Sequence, residues 1–299
     1  MVHINRRDFI RRSAGALGAA MLPPTAALAG PAGTASDLVP LGRTGLRISR
    51  LGLGTGSHNG QVQRSLGAAG LERLIRHGFE RGITYIDTAD NYRTHALIAG
   101  AIRGLPRERL FIQTKMPWER AEFRERPLET LDRYRRELNV EYIDSLLIHC
   151  TTDASWPDDL ARMMDAFSEA KQKGIIRAKG VSCHGLRPLR RATGTDWVDV
   201  HLVRVNPQGR HVDTEGNQWE AIGDVDLVMR EVRAMHAKGR GIIGMKLAGN
   251  GDFRNPADRD RALRYVMTCG AVDAVTIGFA STAELDDARR RIEGALATA

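Results

Sequence analysis

Three observations predict a (β/α)8 TIM barrel closed at its bottom by an N-terminal β-hairpin. Eight short apolar runs alternate with amphipathic stretches over most of the 299 residues, and nearly every run ends in a polar or small residue. The piece Val39–Ile48 has turn residues at its middle and apolar residues outside, which is the pattern of a hairpin. Strict alternation of strand and helix patterns means a parallel sheet. Eight such units in roughly 250 residues suit a closed barrel better than an open doubly wound sheet.

The expected strands are Arg50–Gly54, Thr84–Asp87, Leu110–Lys115, Ser145–His149, Ile176–Ser182, Val198–Val205, Gly241–Lys246 and Ala274–Gly278. Between them, helical periodicity covers Gly70–Glu80, Pro127–Leu138, Pro157–Gln172, Val225–Lys238 and Thr282–Ile292, several opened by Pro, Ser, Thr or Asp start signals. A Rossmann domain is excluded by its own fingerprint, because Gly52-x-Gly54-x-Gly56 lacks the third glycine at the required spacing.

Ahead of the barrel, Arg6-Arg7-Asp8-Phe9-Ile10 precedes the apolar stretch Ala14–Leu22 and the small-residue site Ala27-Leu28-Ala29. That is the layout of a twin-arginine export signal, too short and too rich in Gly and Ala to span a bilayer. The expected organisation is therefore a signal at 1–29, a linker at 30–37 and the barrel at 38–299. It implies the twin-arginine export machinery as a partner, a periplasmic or otherwise exported location, and no membrane span in the mature form.

Composition narrows the function. With 42% apolar and 27% charged residues the chain can bury a full core. Removing four arginines and one aspartate with the signal takes the formal charge from +8 to +5. The remaining arginines are interleaved with acids, as in Arg107-Glu108-Arg109, so no nucleic-acid partner is expected. The three cysteines, Cys150, Cys183 and Cys269, form no CxxC pair and are expected as reduced packing residues. Cys150, Cys183, His149, His184 and His95 invite a metal reading, but their spacing is irregular and no metal is expected.

The chemistry concentrates at the strand ends Asp87, Lys115, His149, Ser182, Asn206, Lys246 and Gly278. A carboxylate and an ammonium buried at neighbouring strand ends are costly unless paired, so Asp87 and Lys115 are expected partners. The charge of Lys115 is expected to lower the pKa of the nearby Tyr92 phenol, which then serves as general acid and base. His149 is placed to donate a hydrogen bond to the same substrate oxygen. Trp118 and Trp156, in the loops after the third and fourth strands, are expected with His149 to wall the substrate.

The segments Leu41-Gly42-Arg43-Thr44-Gly45-Leu46, Tyr85-Ile86-Asp87-Thr88-Ala89-Asp90-Asn91-Tyr92, Thr114-Lys115 and Ile143–His149 resemble the successive signatures of the aldo-keto reductase superfamily, from Val39 onward. The resemblance puts a catalytic tetrad on Asp87, Tyr92, Lys115 and His149. It implies an NAD(P)(H)-dependent oxidoreductase that reduces an aldehyde or ketone, or oxidises the alcohol. A ping-pong oxidoreductase or epimerase with tightly bound cofactor, and a non-catalytic nucleotide-binding barrel, are the alternatives.

The resemblance implies NADP(H) ahead of NAD(H), held by Gly54, Thr55, Asp87, Ser182, Cys183, Lys246, Gly278 and Ser281. Three positions depart from the family pattern: Cys183 stands where the Gly-x-Ser-Asn segment has its Asn, Leu202 where many members have Gln, and Met245 where many have a stacking aromatic. Residues 277–285 offer no evident basic pair for a 2′-phosphate.

Overall fold

A computed structural model describes residues 33–216 and 218–298. Eight parallel strands close a barrel in sequence order: β3 (Leu51–Gly54), β4 (Tyr85–Asp87), β5 (Phe111–Met116), β6 (Ile143–Thr151), β7 (Ile176–Cys183), β8 (Val200–Arg204), β9 (Gly241–Met245) and β10 (Ala274–Gly278), with β10 returning to β3. All eight expected strands form.

The expected hairpin is also present: β1 (Leu38–Pro40) pairs antiparallel with β2 (Arg47–Ser49). Its Leu41, Leu46 and Ile48 join Tyr85, Phe111, Leu147, Val200, Leu202, Ile243 and Ala274 in one apolar cluster inside the barrel, so the hairpin plugs the N-terminal end. Thr44 holds the turn, its hydroxyl donating to the Leu41 carbonyl at 2.7 Å. The expected linker does not stay a linker. From Gly33 the chain packs with the barrel, Ala35 is fully buried, and its carbonyl accepts from the Leu51 amide. The expected signal at 1–29 lies outside the described residues.

Most helices form as expected, Pro127–Leu138 with the same bounds. The expected Pro157–Gln172 divides into Trp156–Asp159 and Ala161–Gln172. Leu186–Gly194, strongly amphipathic but carrying Pro188 inside it, and Pro256–Thr268, whose face is interrupted by arginine and aspartate, are among the helices outside the expected set. Among the described residues no helix is long and apolar enough to cross a membrane.

Alternation along the strands decides what reaches the mouth. Tyr85 and Asp87, Phe111 and Lys115, Leu147 and His149, Ala178 and Ser182, and Leu202 and Arg204 are spaced by even numbers, so each pair shares the inner face. The apolar member lies deep in the barrel and the polar member at the C-terminal rim. Strand parity, rather than any loop, thus aims four charged or titratable groups at one opening.

Candidate active site

The register sets Asp87 beside Gln113, two residues before Lys115. Lys115 is fully buried and uses all three of its donors, giving to Asp87 Oδ1 at 2.8 Å, Asp87 Oδ2 at 2.9 Å and the Thr88 carbonyl at 2.7 Å. Gln113 donates to Asp87 Oδ1 at 2.9 Å and to the Tyr85 hydroxyl at 2.9 Å. The expected pair is therefore real and complete, which is what keeps two buried charges tolerable.

Tyr92 ends a short 3-10 turn, Asp90–Tyr92, that follows β4. Its ring lies 4.9 Å from Lys115 Nζ and edge-on to His149 at 5.6 Å and 86°. Gly56 makes the room: a Cβ there would stand 2.5 Å from Tyr92 Cε2. The expected lowering of the Tyr92 pKa is overturned. Burial, then the Asp87 charge, push it well above the ordinary phenol value, because Lys115 spends its charge on Asp87. The phenol is held in its neutral form, which is the form that can give a proton.

His149 and Cys150 lie inside a register shift of the β6–β7 pairing, between Ile148 and Thr151, and Cys150 adopts a left-handed conformation (φ 58°). Burial, then the charges of Lys115 and Lys246, depress the His149 pKa to about 3, so the imidazole is neutral and can still donate through one nitrogen. Tyr92, Lys115, Asp87 and His149 are thus brought together as expected.

Beside them a groove of about 650 Å³ runs from Asp87 and Tyr92 past Gly54, Met245, Lys246 and Gly278 to Arg259 and Arg291. Two hydroxyls on inner strand faces, Ser182 Oγ and Thr276 Oγ1, are buried without a hydrogen-bond partner, and Thr276 lines the groove. Gly278 keeps it open, since a Cβ there would meet Ser57 Oγ at 2.0 Å. The orphaned Thr276 hydroxyl on a glycine-floored groove suits a polar, elongated ligand such as a dinucleotide.

Other expected site residues are used differently. Thr55 turns to the Asp87 carbonyl (3.0 Å) and the Thr94 hydroxyl (2.9 Å), and Ser281 caps the helix Thr282–Ala297 by accepting from the Glu284 amide. Cys183 has the opposite parity to Ser182, so its thiol packs outward against the Thr151 hydroxyl and the Pro188 carbonyl. It cannot replace an inward amide. Leu202 is core.

Trp156 is 2% exposed and packs against Trp197 in the helix layer, its indole donating to Pro188, so it walls no substrate. Trp118 stays near the mouth, donating to the Cys150 carbonyl at 3.3 Å. Asn206 organises its loop, bonding both ways with Arg210 and donating to the Lys246 carbonyl. His95 lies between Glu137 and Thr114, and among the described residues no cluster suits a metal.

Sequence reasoning missed the other half of the mouth. Arg204, 1% exposed, directs Nε (2.9 Å) and Nη2 to Asp213 Oδ1, which also accepts from the Gly185 amide at 2.7 Å. Trp219 gathers Lys246 (4.9 Å), Arg204 (5.1 Å) and the stacked ring of His184 (6.1 Å, 27°). An arginine in the apolar run Val200–Val205, with an aspartate nine residues on, was the available signal.

The barrel and its rim define a TIM-barrel protein with an Asp–Tyr–Lys–His mouth. The profile of the Aldo/keto reductase family matches residues 50–220, more than half of the chain, and the chain belongs to that family. It is 31% identical over 169 residues to "Probable aldo-keto reductase 1" of Glycine max, covering 52% of this chain and 47% of that protein. It is 28% identical over 207 residues to "NADH-specific methylglyoxal reductase" of Escherichia coli, covering 59% and 61%. The matches span about half the length of the curated relatives. The holo form of an aldo-keto reductase from Bacillus halodurans superposes with a TM-score of 0.68 at 18% identity, over 88% of this chain and 95% of that one, a likeness of fold.

Proposed function

We propose that the protein is a nicotinamide-dependent carbonyl reductase in which Tyr92 is the general acid. The observation that carries this is the meeting of a neutral, donor-competent Tyr92 with neutral His149 over a fully satisfied Lys115–Asp87 pair, at the edge of the groove. A bound nicotinamide supplies the hydride. Tyr92 gives its proton to the carbonyl oxygen, His149 donates a hydrogen bond to that oxygen, and Lys115, anchored to Asp87, lies 4.9 Å from the Tyr92 ring and supports it from below. Ser182, Thr276, Gly54 and Gly278 are the residues that would hold the cofactor. With a panel of aldehydes and ketones, Tyr92→Phe should lower kcat by roughly 10²–10⁴-fold with cofactor binding retained. Unchanged turnover would remove Tyr92 from this role.

NADP(H) is proposed ahead of NAD(H). The far end of the groove holds Arg254, Arg259 and Arg291 against Glu284 and Asp287, a surplus of positive charge. Arg291 is spent on Asp287 and Asp260, and Arg259 donates to the Phe253 and Arg254 carbonyls. Arg254 has no side-chain partner among the described residues, so it is available to a 2′-phosphate. Calorimetry with both nucleotides should give the lower Kd for NADP(H); equal or reversed affinities would overturn the preference.

Export through the twin-arginine route is proposed from Arg6, Arg7 and the apolar stretch behind them. Cell fractionation should find the Arg6→Lys, Arg7→Lys variant retained in the cytoplasm; export of that variant would refute the signal.

A further inference from the structure

The tetrad side of the mouth is electrically closed, but the opposite side is not. Lys115 is cancelled by Asp87, and Arg204 faces Asp213. Lys246 has no such partner: its ammonium donates to the amide oxygen of Asn250 at 3.0 Å and lies over the Trp219 ring, and no carboxylate among the described residues is in ion-pair range. A largely desolvated ammonium without a counter-ion is costly. Burial, then the charge of Arg204, lower its pKa to about 8, which leaves it charged at neutral pH.

Lys246 (4.9 Å) and Arg204 (5.1 Å) both rest on the same indole, and the Arg204 charge is felt at Lys246. Arg204 Nη1 has no partner among the described residues, and Asp213 Oδ2 is buried without one, so this ion pair does not close the site. Lys246 and Tyr92 line the same groove, and the Lys246 charge reaches His149 strongly enough to depress its pKa. The unmatched charge is thus within a small molecule's length of the oxygen that Tyr92 and His149 would contact.

We propose that Lys246, backed by Arg204 on the Trp219 ring, seats an anionic group of the substrate, so that the compound reduced is an oxo acid. Its carboxylate sits on Lys246 while its carbonyl oxygen meets Tyr92 and His149. This rests on the carbonyl-reductase reading. One unmatched positive charge calls for one carboxylate. A cofactor phosphate has the same chemistry, and the test separates the two sources.

The full chain is titrated by calorimetry with oxamate, an unreactive 2-oxo acid mimic, with and without NADP+. Succinic semialdehyde is compared with uncharged butanal in turnover. Oxamate should bind, and Lys246→Met should weaken it roughly tenfold or more, because a charge-assisted hydrogen bond is lost. The same variant should lower the kcat/KM ratio of the acid over butanal by a similar factor, through KM, and Lys246→Arg should recover much of it. Thermal melting checks that both variants fold.

Absent oxamate binding, or a ratio and an oxamate affinity indifferent to Lys246, overturns the proposal. So does a loss of NADP+ affinity in Lys246→Met with the ratio unchanged, which would assign Lys246 to a cofactor phosphate. Lys246-dependent oxamate binding without reduction of any carbonyl would sink the reductase reading and keep the anion seat.

Discussion

Two buried ion pairs face each other across the mouth, and they are built differently. Lys115 and Asp87 belong to adjacent strands, and the ammonium and both carboxylate oxygens are fully engaged. Arg204 and Asp213 lie nine residues apart at a strand end and in its loop, and only Oδ1 of the aspartate is used, with Oδ2 orphaned. Burial outweighs Arg204 and raises the Asp213 pKa, the mark of a carboxylate short of donors. A closed pair is fixed scaffolding for a proton donor above it. A half-closed pair leaves donors and field available to something that arrives.

The contrast can be broken by neutralising each carboxylate. Asp87→Asn leaves Lys115 buried beside an amide, and should cost about 3–5 kcal/mol of stability because an uncompensated charge remains in the core. Asp213→Asn should cost less, about 1–3 kcal/mol, since one of the oxygens replaced had no partner and Arg204 still has the Trp219 face. Urea unfolding of both variants measures the difference. Equal losses would mean that the satisfied and the half-satisfied pair do the same structural work. Adding Lys115→Met to Asp87→Asn should recover stability without restoring turnover.

The same contrast explains what was legible in the sequence. Asp87, Lys115 and His149 sit at strand ends with an apolar residue two positions before two of them and an inward-facing Gln113 before Lys115, so a period of two was enough to aim them together. The barrel followed from the same alternation repeated eight times. Parity also shows where the reading failed: Cys183 is one residue from Ser182 and therefore points out, not in. Trp156 begins a short helix whose first turn faces the core, while Trp219, in the loop 206–224, had no periodicity to announce it. The arginines at the far end of the groove come from residues 254, 259 and 291, which only the fold brings together.

Both halves of the mouth keep a histidine neutral, and this sets an acid limit shared between them. Burial is the leading cause for His149 and for His184, and equally for His201 lower in β8, with His149 and His201 brought down to about 3. Unfolded, each would titrate near 6.5. The unfolded chain therefore binds more protons below that pH, so stability is full above about 6.5 and is lost as pH falls toward 3. Each histidine should remove up to about 1.4 kcal/mol per pH unit in that window. Unfolding free energies at pH 7.5 and pH 5 measure the slope, and His201→Gln, remote from the mouth, should remove only its own share. A stability that stays level between those two pH values would mean that water or rearrangement lets the folded mouth accept protons. The low-dielectric setting argued for Tyr92 and Lys246 would then fail with it.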